Sequence, residues 1–464
     1  MGGQLHIMFL PLMAHGHMIP ALDMAKLFTS RGLKTTIIST PSFSSPVLNA
    51  QAAGLDIGLV SIHFPPQDSD LPDHITSLDQ VLSDDALIPK FFKALSLIRH
   101  PVEDLLRQLN PNCLISDMFL PWTADSAAKF GIPRLVFHGT CYFSLCAAEE
   151  LRRHKPFRGT HHFVLPNLPH RVEMATTEVA DFDLNEDADG FSRWMKEMRE
   201  ADGRSYGVVV NSFYELEPDY ADHYRNALGR RAWNVGPLLL YNNNADGGGE
   251  RGKKPSVDVA ACVAWLDSKK VNSVVYVCFG SMAKFSPAQL KEIENGLDAA
   301  GHDFVWVVRE GGEEEEWLPE RVTGMRGLII RGWAPQVVIL DHPAVGGFVT
   351  HCGWNSTLEG VCSGVPMATW PLFAEQFYNE KLVTEVLRIG VSVGNKKWRR
   401  AGHQGVGREA VEKAVRAVME GESAAEMRRR AAEYREMARK AVGEGGSSYN
   451  DLTALIQELT AYGL

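Results

Sequence analysis

Two stretches of this chain carry side chains able to move a proton or hold an anion. Near the N-terminus, His15 and His17 lie in the loop after the apolar run LHIMFLP (5–11), and His138 ends a second such run, IPRLVFHG (132–139). An imidazole with a pKa near about 6.5 is suited to taking a proton from a hydroxyl at neutral pH. Residue type and spacing leave all three histidines open as that base. Asp117 closes another apolar run, NCLISD (112–117), and on its own reads as a turn residue ending a strand.

The second stretch covers residues 333–376. The strand GGFVTH (346–351) runs into CGW, and a helix is expected to start near Asn355 or Ser356, both favoured N-cap types. A helix start after a strand presents free N–H groups and a positive dipole end to an anion. Ser281 and His351, each following a strand, add donors for a diphosphate. Glu359, about one turn into the helix, can accept hydrogen bonds from two ribose hydroxyls. Trp333, before Ala334 and Pro335, offers an indole face to a base. Glu375 and Gln376 follow the strand VPMATWP (365–371) and set acceptor beside donor, which suits sugar hydroxyls. Gathered at the C-terminal edge of one sheet, these residues describe a nucleotide-diphosphate pocket.

The elements that must position them are short β-branched runs alternating with helical patterns, once before residue 240 and again after 257. Continuous apolar strands separated by helices mean parallel sheets covered on both faces, so the class is α/β with two doubly wound units. The divisions read from the pattern are a first domain over 1–240, a Gly/Asn-rich flexible linker over 241–256, a second domain over 257–445, and a terminal helix over 446–464 that can dock on the first domain. Gly247, Gly249 and Gly252 have GxGxxG spacing, and GGGERGKK resembles a phosphate-binding loop. No strand leads into either, and Lys254 stands where a Mg²⁺-holding hydroxyl belongs, so both read as linker. The DFD (181–183), DAD (187–189) and EEEE (313–316) runs read as solvated loops.

In 464 residues, 47 Lys and Arg against 57 Asp and Glu give a net charge of −10, which disfavours nucleic acid and anionic membrane as partners. The 7 cysteines form no CxxC pair and sit in apolar runs, as free thiols in a reducing compartment do. The apolar N-terminus lacks a basic flank, and no run reaches the length of a membrane span. These features point to a cytoplasmic protein.

Residues 333–376 resemble, over their full length, the signature box of plant family-1 UDP-dependent glycosyltransferases. The similarity extends to AHGHMIPALDMAKLF near the start, GVVVNSFYELEP in the middle and VYVCFGSM before the box. It is strongest to the branch acting on flavonoids, triterpenoids, steroids and other phenols or alcohols. The resemblance implies the GT-B fold, two Rossmann-like domains facing across a cleft, with acceptor in the N-terminal half and UDP-sugar in the C-terminal half. It implies that Trp333 stacks on uracil beside Ala334 and Gln336, and that Glu359 holds the ribose. Ser281, His351, Asn355 and Ser356 would hold the diphosphate, and Trp354, Glu375 and Gln376 would face the sugar. Many relatives carry Asp where this chain has Glu375, and Gln376 accompanies glucose donors. Thr140, in HGT, would add a sugar contact.

The resemblance also chooses His17 as base, through Gly16-His17-Met18-Ile19-Pro20, with Asp117 fixing its tautomer. The helix start beside His17 is expected to favour the neutral ring. The implied reaction is an inverting transfer from UDP-glucose, a co-substrate, to a small-molecule hydroxyl by a monomer needing neither metal nor other cofactor. Two further readings remain: the same fold making C- or N-glycosidic bonds, and a non-catalytic UDP-sugar-binding protein, against which intact His17 and Asp117 speak. A dinucleotide dehydrogenase is disfavoured because no GxGxxG follows a strand. Loops over 63–90 and 165–195 are expected to be irregular and to shape the acceptor site.

Overall fold

The computed structural model describes residues 4–81, 84–186, 189–241, 251–309, 326–400, 402 and 405–462. The EEEE run, Asp187 of DAD, Gly247, Gly249 and most of the linker lie outside the described residues.

The first half contains β1 (His6–Leu10), β2 (Lys34–Ser39), β3 (Ile57–Ser61), β4 (Cys113–Asp117), β5 (Arg134–Phe137), β6 (His162–Leu165), β7 (Val172–Ala175), β8 (Gly207–Val210) and β9 (Ala232–Asn234). Seven of these form one sheet in the order β3-β2-β1-β4-β5-β8-β9, with every pairing parallel. The second half contains β10 (Val274–Cys278), β11 (Asp303–Val308), β12 (Gly327–Arg331), β13 (Val345–Thr350), β14 (Met367–Thr369) and β15 (Gly390–Ser392). These six form a second parallel sheet in the order β12-β11-β10-β13-β14-β15. All residues of β1, β4 and β10 are buried, as strands covered on both faces must be. The chain is two Rossmann-like units, the GT-B arrangement.

The strand order fixes where chemistry can happen. In the first sheet the chain steps outward from β1 to β3, then returns to lay β4 on the other side of β1. The second sheet repeats this with β10 and β13. Each reversal leaves a crevice at the carboxyl ends of the two central strands, where open α/β sheets bind ligands.

The stretch 165–195 is more regular than expected. It contains β7, paired antiparallel with β6, one helical turn at Asp181–Leu184, and the start of the helix Gly190–Gly203. Two four-residue strands interrupted by Pro166 and Pro169 carry too little alternation to register in a sequence window. Asp183 of the DFD run is buried, within 3.9 Å of Arg152 and 3.7 Å of Arg199, and burial raises its carboxyl above the usual range. Its acidity is used inside the protein, not in a solvated loop.

The GVVVNSFYELEP segment has a structural task. Glu217 is fully buried and accepts from the backbone N–H groups of Tyr142 and Phe143, the first turn of the helix Tyr142–His154, and from Ser212 Oγ. Burial pushes its carboxyl up to about 7. All seven cysteines are buried free thiols.

The terminal helix Ser447–Tyr462 lies on the first unit. Leu452, Leu455 and Leu459 enter that unit's apolar core, Asp451 bonds Arg225 and the Asn234 backbone, and Glu458 accepts from Tyr206. Leu455→Ala is expected to cost about 2–5 kcal/mol, because a fully buried aliphatic group is replaced by a cavity. Urea titration followed by circular dichroism should show the earlier transition.

Candidate active site

The two crevices face each other across a cavity of about 1200 Å³ lined by both units. That exceeds the range of about 300–1,000 Å³ usual for one small ligand, and is ample for two. On the N-terminal side His15 and His17 lie in the first turn of the helix His15–Ser30 that follows β1, not in a loop as read from the sequence, and β4 ends on Asp117. On the C-terminal side Ser281 follows β10 and His351 follows β13. These five residues therefore sit at the two strand-order reversals, while Trp333, Glu375 and His138 follow strands farther out in the two sheets.

His17 Nδ1 lies 2.6 Å from Asp117 Oδ2. The Asp117 side chain is 0% exposed and its Oδ1 accepts from the Phe119 N–H at 3.0 Å, which fixes the carboxylate. Burial of His17 favours the neutral ring, but the Asp117 carboxylate outweighs it, helped by Glu375 and Asp79, so its pKa is raised. The expectation that the helix start keeps the ring neutral is thus reversed, because a charge at hydrogen-bond distance outweighs a helix end. Asp117 engages Nδ1, so Nε2 is the ring nitrogen not taken by that pair.

The other two histidines are also paired. His15 Nδ1 lies 2.7 Å from Asp79 Oδ2, and His138 Nε2 lies 3.1 Å from Asp202 Oδ2. A histidine–aspartate pair alone does not pick the base. His17 differs in having Glu375, from the opposite unit, close enough to act on its charge. Asp79 and the contact of the His15 ring with Trp333, 5.9 Å between centroids, were not signalled by the sequence.

On the C-terminal side the helix Trp354–Ser363 begins after Gly353, which is its N-cap and supplies no side-chain cap. Asn355 and Ser356 are therefore not capping residues. His351 is held in a tight slot, since a Cβ on Gly280 or Gly353 would fall 2.7 or 2.5 Å from its ring. Asn355 Nδ2 donates to the Gly16 carbonyl at 2.8 Å, across the cleft, and its Oδ1 is buried without a partner. Trp354 is buried, with Nε1 donating to the Asn211 carbonyl of the first unit at 2.8 Å. Ser356 accepts from Gln336 Nε2 at 3.0 Å, Gln336 also donates to Glu359 Oε2, and Tyr276 donates to Gln336 Oε1 at 3.1 Å. Ala334 lies beside Trp333 at the same wall.

After β14, burial raises the Glu375 carboxyl and Asn379 Nδ2 donates to it at 3.2 Å. Gln376 is buried and its Oε1 accepts from the backbone N–H of Leu372 and Phe373, leaving only its amide nitrogen for a ligand. The Thr140 hydroxyl lines the cavity, buried and without a partner. The N-terminal part of the cavity is walled by Met118, Phe119, Leu145, Phe182, Phe191 and Met195. Asn379 and the linker residue Arg251, which bonds Glu359, are site residues that the sequence did not signal. Both act through contacts between segments far apart in the chain.

Residues 169–428 match the family model described as UDP-glucoronosyl and UDP-glucosyl transferase. The chain is 54% identical to a scopoletin glucosyltransferase of Nicotiana tabacum, covering 99% of each chain. It is 49% identical to an anthocyanin 3'-O-beta-glucosyltransferase of Gentiana triflora, again over 99% of each. The crystal structure of Glycyrrhiza uralensis UGT73P12 complexed with glycyrrhetinic acid 3-O-monoglucuronide superposes with a TM-score of 0.91 at 40% identity, over 99% of this chain and 96% of that one.

The raised pKa of His17 carries a sign that can be checked. Its pairing with Asp117 stabilises the fold fully below pH 6.5 and is lost as pH rises through the higher folded value. An NMR titration should place the His17 midpoint above 6.5. In Asp117→Asn the midpoint should drop below 6.5, because burial then dominates.

Proposed function

Because the chain belongs to the plant UDP-glycosyltransferases, within the UDP-glucoronosyl and UDP-glucosyl transferase family, we propose that it moves glucose from UDP-glucose to a hydroxyl of a lipophilic phenol or alcohol. The observation that carries this reading is the place of His17, held by Asp117 and facing Glu375 where the two units meet. The acceptor O–H gives its proton to His17 Nε2 as the oxygen bonds the anomeric carbon. The bond from that carbon to the diphosphate oxygen breaks, and UDP leaves with the electron pair. Asp117 stabilises the imidazolium that forms, as an aspartate does in a serine-hydrolase triad. Displacement from the face opposite UDP inverts the anomeric configuration.

In this reading uracil stacks on Trp333 beside Ala334, with Glu359 and Gln336 on the ribose. The diphosphate meets Ser281, His351 and the N–H groups that open the helix Trp354–Ser363. Asn355 and Ser356 border that helix start. Glu375, the Gln376 amide nitrogen and Thr140 receive the glucose hydroxyls, with Trp354 behind them. Negative charge on departing UDP is met by these donors and the helix end, so the proposal calls for no metal and no resident cofactor.

The aromatic N-terminal wall and the names of the relatives support an acceptor that is a flavonoid or other small phenol. The Glycyrrhiza complex supports extending the class to triterpenoids and steroids. The buried thiols support a reducing, cytoplasmic setting, and we take the monomer as the working unit.

Incubation with UDP-glucose and a panel of flavonoids, coumarins, triterpenoids and steroids should give products heavier by one hexose in mass spectrometry. The anomeric proton coupling should report a β-linkage from the α-linked donor. His17→Ala should lower turnover by about 10²–10⁴-fold while still binding UDP, and EDTA should leave the wild-type rate unchanged. Undiminished transfer by His17→Ala would remove His17 as the base.

A further inference from the structure

Arg251 lies in the glycine-rich run GGGERGKK that read only as linker, yet it sits at the ribose end of the cavity. Its Nη1 donates to Glu359 Oε1, and its Nε and Nη2 donate to Asp23 Oδ2 at 3.0 and 2.8 Å. The three side chains are 20%, 7% and 6% exposed, so this is a guanidinium enclosed by two carboxylates. The Arg251 backbone is held as well. Its carbonyl accepts from Trp333 Nε1 at 3.3 Å. The Trp333 N–H donates to Ser256 Oγ and the Ser256 N–H donates to the Trp333 carbonyl, at 2.9 and 2.8 Å. Gly252, at φ +94°, lies flat on the indole, where a Cβ would fall 2.5 Å from Trp333 Cζ2 and 2.9 Å from Ile19 Cδ1. The end of the linker is thus built into the wall that carries Trp333, Gln336, Ser356 and Glu359.

We propose that Arg251 is a positioning residue of the nucleotide site, fixing Glu359 to accept the ribose diol and tying it to Asp23 on the opposite unit. The inference rests on the reading of Glu359 as ribose acceptor. A carboxylate has about four acceptor directions. Arg251 takes one on Oε1 and Gln336 one on Oε2, which leaves a lone pair on each oxygen for the two ribose hydroxyls. Without Arg251, two buried carboxylates face each other across the gap, and the anionic diphosphate must bind close to their uncompensated charge. Asp23 lies in the helix His15–Ser30, which also carries His17, so the same guanidinium joins the donor wall to the element that holds the base.

The test compares UDP with 2'-deoxy-UDP, by calorimetry, on the full-length wild type, Arg251→Ala, Arg251→Lys and Asp23→Asn. The wild type should prefer UDP by about tenfold or more. Arg251→Ala should lose about tenfold in UDP affinity and much less for 2'-deoxy-UDP, so the preference falls toward unity. Its KM for UDP-glucose should rise by a larger factor than kcat falls. Arg251→Lys should restore part of the preference, and Asp23→Asn should weaken it with Arg251 intact. A full preference retained by Arg251→Ala, or tighter UDP binding, would overturn the inference and make Arg251 a competitor of the ribose. Absence of any preference in the wild type would overturn the ribose assignment of Glu359, and the inference with it.

Discussion

The proposed base and the proposed nucleotide site belong to different sheets, so everything depends on holding one crevice in register against the other. Proton transfer and in-line displacement tolerate misplacement of only a fraction of an ångström to about 1 Å. The contacts that enforce the register are directional hydrogen bonds. Asn355 bonds the Gly16 carbonyl one residue before His17, Trp354 bonds the Asn211 carbonyl beyond β8, and Asn379 accepts from Ser144 at 2.7 Å. Farther out, the Trp398 N–H donates to the Thr177 carbonyl at 2.8 Å and Lys396 pairs with Glu178 at 2.7 Å. The terminal helix adds its leucines to the first unit after the chain has completed the second. The two units are locked by a chain that crosses twice.

Charge is arranged around the same line of contact. His17 stands among three carboxylates, Asp117, Glu375 and Asp79, and only the first touches it. Asp117 is fully enclosed and held by a backbone N–H, so it gains little by moving when the ring becomes charged. That is the preorganisation a base requires, since stabilisation is then present at the moment of transfer. His15 and His138 have carboxylate partners as well, but Asp79 and Asp202 are less enclosed and Glu375 of the opposite unit acts on His17. Enclosure and position separate three pairs that look alike in composition.

Much of this was legible in the sequence. Apolar runs gave both parallel sheets, because strands buried on two faces need unbroken β-branched stretches, and their ends located His17, Asp117, Ser281 and His351. The resemblance supplied the GT-B arrangement and chose among the histidines, which spacing could not. Elements shorter than a pattern window escaped, among them β9, β15 and the β6–β7 hairpin. So did every site feature made by segments distant in the chain, including Asp79 beside His15, Asn379 beside Glu375 and Arg251 on Glu359. The burial of Asp183 escaped for the same reason, since a DxD run among other acids carries no mark of the two arginines that meet it.

The signature box therefore has two tasks that its residue pattern does not separate. Trp333, Gln336, Ser356 and Glu359 line the cavity with groups aimed at one another and at the space between them. Trp354 and Asn355, adjacent in the same helix turn, spend their donors on the opposite unit. A substitution at Asn355 that abolishes activity would not identify a phosphate ligand, because releasing Gly16 also frees the helix turn that carries His17. Substitution at Glu359 acts first on the donor wall, although its bond to Arg251 extends the effect to Asp23. Neighbouring residues of one motif can thus fail for different physical reasons, one by losing the ligand and the other by letting the two sheets slip.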